Sequence, residues 1–252
     1  MQGTIDGIVA YLKAFRIISK YRLWIYLLVP LIVGLTLGVG IFRFAWGISS
    51  NIGEWLIHFY PFEWGKEWLL RIAEVFGGLL VAAVGLILFR HLVMAITSPF
   101  MSFLSETVEK KLTGDGGAPP FSISQFLSDM VRGLRIALRN IIRELFYTLV
   151  LFLMGLLLPF LAPAIPIAIF LVQSFYAGFG NIDYTLERHF SMRDSVRFVR
   201  KNRGLALGNG MVFMALLLTG IGFLFALPVG TVAATSETLK RLDKTSPDEV
   251  AG

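Results

Sequence analysis

The sequence predicts an all-α integral membrane protein with two long transmembrane helices and two helical hairpins that proline and glycine interrupt. Three observations predict this fold class. Hydrophobic residues make up 56% of the 252 residues and charged residues only 16%, whereas about 25% of a soluble domain is charged. The mean hydropathy is +0.71. Finally, the apolar residues form a few long runs, most of which are separated by basic segments. This composition excludes a disordered chain and disfavours a water-soluble enzyme.

Two apolar runs are long enough to cross a bilayer, at about residues 23–42 and 72–96, because a spanning helix needs about 20 residues. A signal peptide is the rival interpretation of the first run, but its apolar core is usually only about 7–15 residues long. Residues 97–100, which include Pro99, are predicted to end the second helix, since proline removes a helical hydrogen bond. Four tryptophans between the runs are typical of a membrane interface: Trp46, Trp55, Trp64 and Trp68.

Two further apolar blocks, at about residues 145–180 and 205–235, are interrupted near their centres. The interrupting residues are Pro159, Pro163 and Pro166 in the first block and Gly220, Gly222 and Pro228 in the second. Each block is predicted to fold as a hairpin. The arms of the first have roughly 14–16 residues, shorter than the ~30 Å hydrocarbon core, which predicts hemi-penetrating hairpins. Residues 1–243 are then one membrane domain, followed by a flexible tail at 244–252.

Basic residues are concentrated in the segments 13–22, 97–143, 181–204 and 240–244, whereas the loop 43–71 is neutral. The positive-inside rule places all four basic segments in the cytoplasm, together with the N-terminus. The helices in these basic segments are then amphipathic helices in the cytoplasm. Each of the two predicted hairpins returns to the side of the membrane from which it entered. Irregular backbone at membrane depth must be covered by protein or by a watery cavity, so the sequence also predicts a homo-oligomer or a pore.

Four arginines lie on one stripe of a helix predicted to end near residue 143. They are Arg132, Arg135, Arg139 and Arg143, and at 100° per residue they fall within about 80° of one another, opposite an apolar face. Two interpretations stay open. The helix lies on the anionic inner leaflet of the lipid bilayer, or it forms a cationic vestibule that concentrates an anion at a pore. No module that reads nucleic acid is visible, so no nucleic-acid partner is predicted.

Other charged residues are candidates for the same pathway. Arg90 interrupts the second run, and an arginine inside a membrane is a functional candidate unless it reaches the interface. Glu106 either shapes an anion path by pairing with a basic residue or lies on a solvated face. Asp183 is a candidate to cap a helix or to pair with Arg188.

The sequence offers no chemistry for catalysis. There is no cysteine, and the three histidines are isolated, which excludes disulfides and thiolate metal sites. Nucleotide-binding, zinc-protease and serine-hydrolase motifs do not occur in it. We therefore predict no enzymatic activity, no metal and no cofactor.

Four groups of motifs lie along the chain's polar and apolar boundaries. They are Ser19-Lys20-Tyr21-Arg22-Leu23 with Pro30, Ser98-Pro99-Phe100 before Leu104–Glu109, Asp183-Tyr184 through Arg188 to Asn202-Arg203, and Pro228 with Val232–Thr235. Together they resemble the CysZ-type sulfate permease family, the bacterial relatives of the etoposide-induced-2.4-like membrane proteins. The resemblance implies two spanning helices and two hemi-penetrating hairpins in an oligomer. It also implies a permease or channel that carries sulfate or a related oxyanion across the bacterial inner membrane for cysteine synthesis.

The resemblance implies an anion site at the start of the first long helix, where Arg22 matches the basic position of the family and Lys20 and Tyr21 lie beside it. The predicted pore or vestibule residues are Arg90, Glu106, Arg132, Arg135, Arg139, Arg143, Asp183 and Arg188. The alternative function is a non-transporting membrane scaffold or stress-response interaction protein of the same family.

Overall fold

The computed structural model describes residues 2–41, 43, 66–114, 122–219 and 222–243. Most of the predicted aromatic loop and the predicted tail lie outside these ranges. Within them the chain forms eight helices: α1 (Gln2–Lys20), α2 (Leu23–Ile41), α3 (Lys66–Thr113), α4 (Ile123–Leu157), α5 (Ile165–Leu186), α6 (Met192–Lys201), α7 (Arg203–Leu218) and α8 (Phe223–Leu242).

In the described part of the chain, four helical segments are long and apolar enough to cross a membrane. They are Leu23–Ile41, Gly85–Thr113, Met130–Leu157 and Phe160–Leu186. The first of them, α2, leaves large apolar side chains such as Ile25 and Ile32 exposed on its outer surface, where only lipid or another apolar surface can cover them. The prediction of an all-α protein with membrane-spanning helices is confirmed.

Helix α3 continues through Pro99 to Thr113, so the predicted end of the helix at residues 97–100 is wrong. Proline removes a single backbone hydrogen bond, and the surrounding helices compensate for this local loss. The side chains that follow, Met101, Leu104 and Val108, are fully or almost fully buried. Packing on both sides of Pro99 therefore keeps the helix continuous.

The first interrupted block has longer arms than the sequence predicts. Helix α4 carries the arginine stripe straight into the apolar block and ends only at Leu157. A 3₁₀ turn, Pro159–Ala164, then leads into α5, whose 22 residues extend about 33 Å. Helix α7 of the second block has 16 residues, or about 24 Å. Partial penetration by the hairpins stays a prediction.

Glycines allow α5 and α7 to approach one another closely. A methyl group added at Gly210 would lie 1.6 Å from the carbonyl oxygen of Ser174, and one added at Gly178 would lie 1.8 Å from that of Ala206. Only a residue without a side chain fits such an approach, which is a common way for helices to pack in membranes. Gly178 of the first block and Gly210 of the second therefore fix the position of the two blocks against each other.

A buried amide pair joins four helices beside this contact. Asn181 of α5 donates to the side-chain oxygen of Asn209 of α7 at 2.8 Å, and the Tyr11 hydroxyl of α1 donates to the Asn209 carbonyl oxygen at 3.0 Å. The Asn209 amide donates in turn to the carbonyl oxygen of Gly230 in α8 at 3.1 Å. Asn209 thus contacts three neighbouring helices through buried hydrogen bonds, and these bonds favour one arrangement of the four helices.

Contacts also bring the basic segments together. The Tyr21 hydroxyl, between α1 and α2, donates to the carbonyl oxygen of Lys111 near the end of α3 at 3.2 Å. Arg132 of α4 donates to the carbonyl oxygen of Phe190, between α5 and α6, at 3.2 Å. The segments 97–143 and 181–204 are thus neighbours, which is the arrangement that the positive-inside argument requires. The orientation of the chain in a membrane stays a prediction.

Candidate functional site

The turn between α1 and α2 has an unusual backbone. Arg22 has φ 56° and ψ 42°, the left-handed conformation, and it is the one non-glycine residue with positive φ in the described part of the chain. Residues with a Cβ adopt this conformation rarely and at an energetic cost. Immediately after it, Leu23–Leu27 begins α2 with a 3₁₀ turn, and the first N–H groups of a helix have no partner within the helix.

The predicted anion-binding residues meet at this turn. Lys20 and Arg22 are exposed, and the Lys20 ammonium lies 5.2 Å from the ring centre of Tyr21. Because the Tyr21 hydroxyl is bonded to the Lys111 carbonyl oxygen, the turn is held against the basic end of α3. The arrangement presents two cations and a helix N-terminus, which together favour an anion.

Arg90 lies inside the helix bundle and not at its interface. It is 1% exposed, forms an ion pair with Glu144 of α4, and donates to the carbonyl oxygen of Gln173 in α5 at 3.2 Å. The neighbouring His91 approaches the same Glu144 carboxylate at 2.9 Å. A charge at this depth is tolerable only when it is paired, and Glu144 supplies the pairing.

Glu144 was missed by the sequence reasoning, although it carries a readable signal. It follows the arginine stripe at the point where the chain becomes continuously apolar. A carboxylate there needs a cation on a neighbouring helix, and Arg90 was already a candidate. Which helices are neighbours could not be deduced from the sequence.

Arg132 joins three helices. Its guanidinium donates to Asp183 of α5 at 3.0 Å and to the Ser195 hydroxyl of α6 at 2.9 Å, and it lies 3.9 Å from Glu187. Asp183 therefore pairs with Arg132 and not with Arg188. The pair is largely enclosed, since the Asp183 side chain is 6% exposed and the Arg132 side chain 19%.

A small cavity connects this pair to the Arg90 region. It lies between α3, α4 and α5, has a volume of about 20 Å³, and is lined by His91, Asn140 and Asp183 among other residues. The lining is mainly apolar, but a cavity of this volume has room for one water molecule. Asp183 of one ion pair and His91, which contacts Glu144 of the other, line the same cavity. The two ion pairs together with this cavity are the polar region beside α3.

Arg188 forms a third ion pair, with Glu109 of α3. Two of its three guanidinium nitrogens, Nη2 and Nε, lie 2.7 and 3.1 Å from one Glu109 oxygen, and Nη2 also donates to the Ser105 hydroxyl at 2.9 Å. Arg90 and Glu109 are about 28 Å apart along α3 at 1.5 Å per residue, close to the ~30 Å thickness of a hydrocarbon core. Buried polar side chains such as Thr97, Ser98 and Ser102 lie on α3 between these two residues. Glu106 pairs with Lys110 of its own helix at 3.1 Å.

The structure divides the predicted arginine stripe. Arg132 belongs to the ion pair with Asp183, and Arg135 is exposed. Arg139 and Arg143 line a cleft of about 730 Å³ between α4, α5, α6 and α7, which also includes Arg200 and Arg203. Arg200 and Arg203 could not be assigned to a site from the sequence, because their approach to α4 depends on how α6 and α7 pack.

The fold and these polar contacts define a multi-pass helical membrane protein with ion pairs in its interior. A family model described as Sulfate transporter CysZ/Etoposide-induced protein 2.4 matches residues 10–228. The chain belongs to this family, as its motifs predict. The family description names a sulfate transporter and no enzyme, in agreement with the prediction that the protein is not an enzyme.

Several bacterial relatives resemble the chain over most of its length. The sulfate transporter CysZ of Pseudomonas fluorescens is 29% identical over 240 residues, which cover 88% of this chain and 89% of the relative. That of Pseudomonas paraeruginosa is 26% identical over 228 residues, covering 88% and 90%. That of Vibrio cholerae is 28% identical over 214 residues, covering 84% of each chain.

Proposed function

We propose that the protein is a permease or channel for sulfate or a related oxyanion in a bacterial inner membrane. The family match over residues 10–228 carries this proposal, and relatives named sulfate transporters align with 84–88% of the chain. The ion pairs in the interior support the proposal, because a purely apolar interior would offer an anion no polar group to contact.

The anion binds first at the turn between α1 and α2. Arg22 and Lys20 supply the positive charge, and the free N–H groups at the start of α2 supply hydrogen bonds. Tyr21 keeps the turn against α3 through its bond to Lys111. The left-handed conformation of Arg22 is the kind of strain that persists where function requires a particular backbone course.

The anion then moves along the polar region beside α3. Arg90, Arg132 and Arg188 each have a carboxylate partner in the described structure. An oxyanion that reaches one of these arginines takes over guanidinium N–H donors from the carboxylate. The carboxylate keeps its second contact, as Glu144 does with His91 and Glu109 with His189. Exchange between alternative partners is how a binding site can release an ion as readily as it accepts one.

The direction of transport follows from cellular demand. Inward movement of two negative charges against a potential of 100 mV costs about 4.6 kcal/mol. Consumption of sulfate in cysteine synthesis keeps its internal concentration low enough to draw more in. In this proposal the N-terminus is cytoplasmic, and the exposed apolar faces of the helices pack against lipid and against further copies of the chain in a homo-oligomer.

The test is the uptake of radiolabelled sulfate by proteoliposomes that contain the full chain. We expect uptake above that of protein-free liposomes, and competition by unlabelled sulfate and sulfite stronger than competition by chloride. A thermal melting curve shows beforehand that the purified protein is folded. If folded protein then gives no more uptake than protein-free liposomes, the proposal is overturned and a scaffold role is favoured.

A further inference from the structure

The cleft that separates α4 from α6 and α7 is distinct from the turn at Arg22 and from the ion pairs beside α3. Its volume is about 730 Å³, within the range of pockets that hold drug-sized ligands and far larger than a tetrahedral oxyanion needs. Helix α5 contributes to its lining with Leu171, Phe175 and Phe179. Its size and its apolar surface therefore indicate a ligand with a hydrocarbon part.

Four arginines line the same cleft: Arg139 and Arg143 from α4, and Arg200 and Arg203 from α6 and α7. Within the described ranges none of the four forms a salt bridge, in contrast to Arg132 and Arg188. The Arg139 guanidinium lies 5.2 Å from the ring centre of Phe179. The positive charges of Arg143 and Arg200 repel the charge of Arg139. Four like charges around one cleft attract an anion strongly.

The basic residues and the apolar residues that line the cleft lie in different parts of it. The arginines of α6 and α7 come from the basic segment predicted to be cytoplasmic, whereas Leu171 of α5 and Leu207 of α7 lie farther into apolar helices. Tyr147 and Tyr176 also line the cleft, and tyrosine is enriched where headgroups meet hydrocarbon. The cleft thus has a cationic part, whose charge suits a phosphate group, and an apolar part, whose surface suits an acyl chain.

We propose that this cleft is a binding site for an anionic phospholipid. The phosphate lies among the four arginines, and an acyl chain follows the apolar wall formed by Leu171, Phe175 and Leu207. Basic pockets between transmembrane helices on the cytoplasmic side have the chemistry that recognises such headgroups. The site is separate from the proposed sulfate site at Arg22, so either proposal can fail without the other.

The test is native mass spectrometry of the purified full chain, titrated with phosphatidylglycerol and with phosphatidylcholine. The cleft variant is R143Q/R200Q, which changes two exposed residues. The matched control is R135Q/R197Q, which removes the same charge from exposed positions on the same two helices, outside the cleft. Glycerol 3-phosphate and sulfate, added as competitors, test whether the headgroup anion alone is enough.

We expect phosphatidylglycerol to bind the unchanged chain and the control alike and to bind the cleft variant roughly tenfold more weakly or worse. R143K/R200K, which restores the charge, should recover most of the binding. Equal loss in both double variants would overturn the proposal, since surface charge alone would then explain the binding. Displacement of the lipid by sulfate or glycerol 3-phosphate at equal affinity would also overturn it, in favour of a site for free oxyanions.

Discussion

Arg90 of α3 and Glu144 of α4 form an ion pair in which neither side chain is exposed to solvent. The two residues are far apart in the sequence, and the pair ties together the helices that carry the candidate polar region. Removal of one member of such a pair leaves the other as an uncompensated buried charge. We therefore expect the Arg90–Glu144 pair to be required for the stability of the fold as well as to be part of the proposed anion pathway.

The Glu144→Gln variant tests this expectation. It should lower the free energy of unfolding by about 3–5 kcal/mol, because Arg90 keeps its charge and loses its counter-charge. Thermal melting in detergent measures the change. Glu106→Gln is the control, since Glu106 pairs with Lys110 on its own helix and should cost about 0.5 kcal/mol or less. Similar melting temperatures for the two variants would contradict the importance given to the buried pair.

Gly210→Ala tests the close packing of α5 against α7. The added methyl group would meet the Ser174 carbonyl oxygen at 1.6 Å, so the helices must move apart, at a cost of about 1–3 kcal/mol or more. Gly85→Ala is the matched control, because nothing lies within 4 Å of a methyl group there. That change should be neutral or stabilising by up to about 1 kcal/mol. Melting curves of both variants decide the matter, and an unaffected Gly210→Ala protein would show that the contact is not tight.

Arg22→Gly separates the backbone role of this residue from its charge. Glycine adopts the left-handed conformation without strain, so stability should rise by about 1 kcal/mol. Sulfate affinity, measured by calorimetry, should fall, because the cation is gone. Arg22→Lys retains the charge and should keep most of the affinity. Unchanged affinity in both Arg22→Gly and Arg22→Ala would remove the assignment of the anion site to this turn.

Lys13 of α1 and Glu237 of α8 form a salt bridge of 3.2 Å, outside the four candidate spans. The hydrogen bond to Glu237 raises the pKa of Lys13 above its ordinary 10.5. Burial acts to raise the pKa of Glu237, but hydrogen bonds and charge from Lys240 and Lys13 outweigh it and hold that pKa below its ordinary 4.5. The pair therefore couples stability to pH.

The direction of that coupling follows from the two shifts. The carboxylate stabilises the fold at pH above its ordinary pKa, and this contribution is lost as the pH falls through the lowered pKa. The ammonium contributes below its ordinary pKa, and its contribution is lost as the pH rises through the raised pKa. The melting-temperature difference between the unchanged chain and Glu237→Gln should be steady between about pH 5 and 9 and shrink below about pH 4. A difference that stays constant under acid conditions would contradict the assigned shift.

The candidate site was only partly predictable from the sequence. Arg90, Arg132 and Asp183 were identifiable because ionisable residues in or beside apolar runs are costly and therefore informative. Their partners were not identifiable. The sequence leaves Asp183 as a helix cap or as a partner of Arg188, five residues away, whereas the structure pairs it with Arg132 on another helix. Glu109 and Glu144, the partners of Arg188 and Arg90, received no role at all.

The sequence by itself determined the class of the protein, its apolar runs, its basic segments and its family, because hydropathy and charge are properties of each short stretch of chain. The tertiary structure decided that α3 continues through Pro99, that α5 and α7 meet at Gly178 and Gly210, and that the arginine stripe divides between an ion pair and a cleft. Each of these depends on which helices become neighbours. That choice is made by packing between segments far apart in the sequence, where the cost of a lost hydrogen bond or a buried charge is balanced by a contact that no local pattern contains.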